Sequence, residues 1–181
     1  MRHHIRSGIL VAFAATSAFA EEAPAGFSAG PRLGFGSWGL PGIATGPLAV
    51  DFGVVLQKPL SRSEALLGGI EYQRVPQVFY ERAPRGPYGM GLLSGFVGWK
   101  TTLLPRSRIQ PYVAPTVGFT RWSGRPGDTG LSPTLGWFVG TQMNVGPRAR
   151  VFAEFGGRYG LGAVPGSVPH WGIGFGYTRA F

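Results

Sequence analysis

From residue 32 to the last residue, apolar and polar or small positions alternate with a period of two. The last segment shows this best. Trp171, Ile173, Phe175 and Tyr177 fall on one side, and Gly172, Gly174, Gly176 and Thr178 on the other. Period two is the signature of a strand, and a helix does not tolerate glycine at that spacing. Upstream, Val151, Ala153, Phe155 and Tyr159 oppose Arg150, Phe152, Glu154, Gly156 and Arg158. Leu135, Trp137, Val139, Met143 and Val145 oppose Thr134, Gly136, Phe138, Gly140, Gln142 and Asn144. Ile109, Val113, Val117 and Phe119 oppose Gln110, Tyr112, Ala114, Thr116, Gly118 and Thr120. The first half is noisier but repeats the theme. Leu33 and Phe35 alternate with Arg32, Gly34 and Gly36; Leu48 to Leu56 with Ala49, Asp51, Gly53 and Gln57. Leu66, Ile70 and Tyr72 face away from Glu71 and Gln73, and Leu93, Val97, Trp99 and Leu103 from Ser94, Gly98 and Lys100. These patterns predict eight strands.

The connections alternate in length. Pro59–Arg62, Pro105–Arg108 and Gly146–Arg148 are tight and rich in turn residues, whereas Ser37–Gly46, Val75–Pro87, Ser123–Gly130 and Leu161–Val168 are longer. Short turns on one side and long loops on the other predict an all-β, eight-stranded antiparallel up-and-down transmembrane β-barrel. Both ends of the mature chain then lie on the short-turn, periplasmic side.

Residues 1–20 stand apart from this pattern. Arg2, His3, His4 and Arg6 precede a short apolar run from Ile9 to Ala15, and Ala18-Phe19-Ala20 is a small-x-small cleavage site. That is the layout of a cleaved signal peptide, and the run is too short to span a bilayer. The expected division is residues 1–20 as signal and 21–181 as one barrel domain. The formal charge of +9 loses Arg2 and Arg6 on cleavage, leaving 9 − 2 = +7. Export argues against nucleic acid as the partner of this basic chain and favours anionic lipid headgroups and lipopolysaccharide phosphates. The 31 glycines and 16 prolines would suit disorder, but the 13% aromatic content does not. There are no cysteines to staple the domain, so a closed sheet is the expected source of stability.

Alternation leaves open which face is outside. A soluble lipocalin-like barrel turns its apolar face inward, and a membrane barrel does the reverse. The polar face here is mostly glycine, alanine, serine and threonine with isolated charges, unlike a solvated surface. Small residues suit the narrow interior of eight strands. The other face carries Trp99, Trp137, Trp171, Tyr72, Tyr159 and Tyr177, candidates for aromatic girdles. Arg32, Lys100, Arg158, Asp51, Glu71 and Glu154 all fall on the inner face, three of each sign. Buried charges need partners, so a ladder of ion pairs filling the lumen is expected. Proton relay or ion conduction is the functional alternative to that structural role.

These residues resemble the eight-stranded outer-membrane β-barrel superfamily, which includes OmpA-like transmembrane domains and opacity-type surface proteins. The likeness rests on the Ala18-Phe19-Ala20 site, on Ile109-Gln-Pro-Tyr-Val-Ala114, on Val151-Phe-Ala-Glu-Phe-Gly-Gly-Arg-Tyr159 and on Trp171 to Phe181. The resemblance implies an outer-membrane location. It also implies that a terminal aromatic, with alternating apolar residues before it, is read by the barrel-assembly machinery. Ile173, Phe175, Tyr177 and Phe181 match that signal, and Arg179 departs from it.

Candidate chemistry is sparse. His170 is the single histidine after residue 20, so a histidine-based metal site is not expected, nor any cofactor. Some small outer-membrane barrels modify lipid A. Here Ser167 and His170 with Asp128 or Glu154 form the sole conceivable hydrolytic set, and the closely spaced His-x-Ser pattern of that group is absent. The expected reading is therefore not an enzyme, with His170 a polar residue at the membrane interface. Gly34-x-Gly36 and Gly172-x-Gly174-x-Gly176 are strand glycines, because no helix follows them to bind phosphate. Arg74, Arg82, Arg85, Arg121 and Arg125 lie in the expected external loops as candidates for contact with lipopolysaccharide or a host surface. Lys58, Arg62, Arg106, Arg108, Arg148 and Arg150 collect at the opposite end, near inner-leaflet phospholipid. A structural or surface-interaction barrel is thus the leading expectation, ahead of a narrow channel or transporter and of a lipid A-modifying enzyme.

Overall fold

In a computed structural model of the chain, residues 26–38, 48–78, 88–123, 129–161 and 170–181 are described. They form eight strands: β1 Ser28–Trp38, β2 Ala49–Pro59, β3 Glu64–Val78, β4 Tyr88–Thr102, β5 Ile109–Ser123, β6 Thr129–Gly146, β7 Ala149–Gly160 and β8 His170–Ala180. Each pairs antiparallel with its neighbours in the chain, and β8 pairs with β1 to close the barrel. Closure leaves no edge strand, which is what a sheet needs in hydrocarbon.

The register fixes the shape. Facing partners run Ser28, Gln57, Leu67, Gly98, Thr116, Gly136, Arg158, His170 and back to β1 at Trp38. One circuit therefore climbs 38 − 28 = 10 residues along β1. With ordinary rise and spacing, a ten-residue stagger over eight strands tilts them by about 40° from the barrel axis.

Strands are longer than the alternation suggested. β1 begins at Ser28, ahead of Arg32, and β3 and β4 run to Val78 and from Tyr88. Prolines obscured these ends, yet the barrel accommodates them. Pro31 and Pro115 sit where the ladder is interrupted, opposite Tyr177 in β8 and Trp99 in β4, while the register continues unbroken on both sides. A proline brings no N–H to the ladder, so the pairing thins there without shifting.

The two faces separate cleanly. Phe52, Val54, Ile70, Val97, Val117 and Leu131 point outward and are exposed, as are Trp99, Trp137 and Trp171. A contiguous apolar surface of this kind is lipid-facing. Inside, the charges and amides share space with a buried cluster of Val55, Leu67, Phe96, Tyr112, Ala114, Phe138 and Phe152. Glycines opposite these rings supply the room: a Cβ on Gly176 would lie 2.2 Å from the Phe152 ring, and one on Gly156 2.4 Å from Phe138. The interior is thus filled by large residues set against glycines, not by small residues alone.

The ends of the chain meet at the seam. The Phe181 N–H donates to the Phe27 carbonyl at 2.9 Å. Gly26, at φ 128°, turns the chain beside the Phe181 carbonyl, where a Cβ would stand 2.5 Å away. That backbone conformation and that spacing both call for glycine.

Candidate functional site

The functional candidates lie in three places: the middle of the lumen, its short-turn end, and the outer rim at the long-loop end. In the middle, Arg32 from β1 gathers three carboxylates. Its Nη1 lies 2.7 Å from Asp51 Oδ1 and 3.1 Å from Glu71 Oε1, and its Nε 2.7 Å from Glu154 Oε1. The Glu71 contact is an ion pair without hydrogen-bond alignment. Arg158 Nη2 holds the other oxygen of Glu71 at 2.6 Å, and Tyr112 Oη donates to Glu154 Oε2 at 2.5 Å. Both guanidinium groups also lie over the Phe138 ring, at 5.4 and 5.6 Å. Side chains from β1, β2, β3, β5 and β7 converge here because the stagger brings inward positions of distant strands to a common height. The free space beside this network is about 10 Å³, lined by Arg32, Asp51, Glu71, Phe138, Arg158 and His170. That is at the limit for a single water.

Lys100 is separate from this ladder. It is 2% exposed and its ammonium donates to Gln57 Oε1 at 3.2 Å and Gln142 Oε1 at 2.5 Å. It rests on the Tyr112 ring, 4.0 Å from the centroid. Gln142 Nε2 donates to Gln110 Oε1 at 3.0 Å, and Gln110 Nε2 to the Pro105 carbonyl at 2.8 Å. Among the described residues Lys100 pairs with no carboxylate. The expected three-against-three ladder is instead two arginines against three acids, with Lys100 below them in a nest of amides. The acids lie higher because of the stagger, which alternation cannot reveal. Tyr112, Gln57, Gln110 and Gln142 are the members that reasoning from charge alone passed over; their inward parity is the signal that marks them.

His170 turns into the barrel, not toward the lipid, with its Nε2 3.2 Å from Gln73 Nε2. This corrects the interface placement, since β8 enters with His170 on the inner parity. Glu154 sits four residues deeper, facing Gly174, and is occupied by Arg32 and Tyr112. Ser167 and Asp128 lie outside the described residues, as do Arg82, Arg85, Arg125 and the segment 1–20.

Arg74 and Arg121 are not in loops. They stand exposed on the outer face of β3 and β5, near the long-loop ends, flanking β4 at Gly91 and Leu93. Ile173, Phe175, Tyr177 and Phe181 all face outward along β8, with Arg179 on the same side. At the short-turn end, Arg62, Arg106 and Arg150 line the mouth of the lumen with Lys100 at its floor. Lys58 lies outside against the Phe27 ring, 5.4 Å from its centroid.

The closed topology, the outward apolar belt and the plugged interior can now be set beside solved structures. Neisserial surface protein A superimposes with a TM-score of 0.72 at 16% identity, over 89% of this chain and 100% of that one. The attachment invasion locus protein Ail of Yersinia pestis gives 0.54 at 14% identity, over 86% and 99%. OprG, an outer membrane protein of Pseudomonas aeruginosa, gives 0.53 at 13%, over 86% and 96%. This chain has the eight-stranded outer-membrane β-barrel fold. The sequence itself matches no protein-family model and no curated protein. An outer-membrane barrel fold is thus established by architecture.

Proposed function

We propose that this chain is a non-enzymatic barrel of the bacterial outer membrane with a structural or surface-interaction role, exported by a signal at residues 1–20 and inserted by the barrel-assembly machinery. The observation that carries the reading is the pairing of an apolar exterior with a lumen closed by Arg32, Asp51, Glu71, Glu154 and Arg158. A barrel shut at mid-height offers its surface rather than a pore. Arg74 and Arg121 on the outer face supply contacts for lipopolysaccharide phosphates or another extracellular polyanion. Ail of Yersinia pestis, of the same fold, has been crystallised with the heparin analogue sucrose octasulfate. Outward Ile173, Phe175, Tyr177 and Phe181 support the assembly signal.

A narrow channel is the second reading, favoured by one observation. Polar side chains form a continuous thread from Arg158 through Glu71, Arg32, Glu154 and Tyr112 to Lys100 and Gln142. Planar-bilayer recording separates the two. The purified barrel is expected to show heat-modifiable gel migration and no stable unitary conductance. Reproducible unitary steps that vanish on Glu154→Gln or Lys100→Met would overturn the closed reading in favour of the channel.

A further inference from the structure

The short-turn end of the lumen holds roomy space that neither the plug nor the outer surface explains. Part of it is a cavity of about 260 Å³ beside Ser28 and Thr178 that shares Asn144 and Arg150 with a neighbouring one. That neighbour, a cavity of about 220 Å³, opens between the β2–β3, β4–β5 and β6–β7 turns. That is far above the roughly 10–15 Å³ that one water requires. Its wall is polar, with Gln57, Gln110, Gln142, Asn144 and Thr102, and its charged members are Lys100, Arg62, Arg106 and Arg150 against Glu64. The balance is 4 − 1 = +3.

We propose that this cup is a binding site for a phosphate group entering from the periplasmic side. Three features point to that ligand. Lys100, at the floor, is a buried ammonium whose direct contacts among the described residues are amide oxygens and the Tyr112 ring, so an anion in the cup gives it a counter-charge at contact distance. Arg62, Arg106 and Arg150 stand around the opening, and a guanidinium binds phosphate oxygens in a two-pronged manner that a lysine cannot. Arg150 is already oriented: its Nε donates to Asn144 Oδ1 at 3.0 Å. Arg62 and Arg106 have protein contacts of their own. The cup is also dead-ended. Tyr112 and the Arg32 network close it above Lys100, so a bound anion is retained and not passed through. Four cations against one carboxylate in a closed-ended cup make its potential positive, which draws anions in.

Phosphate chemistry reaches this mouth from two sources, a free phosphate or phosphate monoester in the aqueous space and the headgroup of an anionic phospholipid in the inner leaflet. The test is titration of the folded barrel in zwitterionic detergent with inorganic phosphate at low ionic strength, read by calorimetry. Saturable one-to-one binding is expected, weakened at least about tenfold by Arg106→Gln with Arg150→Gln and similarly by Lys100→Met. Arg106 is exposed and Arg150 lies at the mouth, so the double variant is expected to fold and keeps the test valid should Lys100→Met not fold. Absence of saturable binding, or affinity unchanged in the double rim variant, overturns the site. Repeating the titration in phosphatidylcholine vesicles with and without phosphatidylglycerol assigns the source. Competition by the anionic lipid identifies a headgroup as the occupant, and equal affinities identify the free solute.

Discussion

Arg32 holds Asp51, Glu71 and Glu154 at once, so removing it and removing its partners have unequal consequences. Arg32→Met leaves buried carboxylates without their shared cation and is expected to destabilise the barrel by about 3–5 kcal/mol in denaturant unfolding from detergent or lipid. Adding Asp51→Asn and Glu154→Gln to that variant removes the stranded charge. Most of the loss is then expected to return, because Arg158 still serves Glu71. If the triple variant is no better than Arg32→Met alone, the network is not what closes the lumen energetically. The inward location of these charges was legible from parity, since every one of them falls opposite the apolar positions of its own strand. Their partners were not. Which inward residues meet across a barrel depends on the stagger between strands, and no period-two pattern carries that number. Lys100 shows the consequence: it looked like one more member of an ion-pair ladder, but the ten-residue climb sets it among Gln57, Gln142 and Tyr112.

At the scale of the strand, the alternation located all eight elements and the turn chemistry ordered them, but prolines blurred their extent. Proline in a central strand ordinarily argues against the strand, because its nitrogen cannot donate. β5 carries Pro111 and Pro115 and is nonetheless fifteen residues long. Closure of the barrel explains why: its neighbours β4 and β6 hold β5 from both sides, so two missing donors do not release it. Pro115 faces outward and exposed, opposite the lapse in β4–β5 partners at Trp99 and Lys100. Pro115→Val restores a donor without altering the lumen. It is expected to raise unfolding stability by about 0.5–1.5 kcal/mol, the net value of one hydrogen bond. A loss of stability would show that proline's restriction of the unfolded chain outweighs the missing bond.

For the molecule as a whole, the deciding property is that its outside is what a soluble protein hides. Composition could not say this, because the same alternation describes a lipocalin-like barrel turned the other way. The sizes and signs of the inner residues settled the direction, and the structure shows Val97 exposed near mid-barrel, facing Gly68 and Val117. Leu103 is equally apolar and exposed but lies past the end of β4, where its N–H donates to the Pro111 carbonyl beside the short turn. In a bilayer these two positions differ in depth alone. An arginine at the midplane of a lipid-facing strand costs about 2–4 kcal/mol, and one near the interface about 0–1 kcal/mol. Val97→Arg is therefore expected to lower the unfolding free energy in lipid vesicles several-fold more than Leu103→Arg does. Denaturant titration of both variants and the parent in the same lipid reads the difference directly. On a solvated surface both substitutions fall within about 0.5 kcal/mol of the parent. Equal and negligible effects would thus remove the membrane from around this belt, whereas a cost that rises with depth fixes its midplane near Val97.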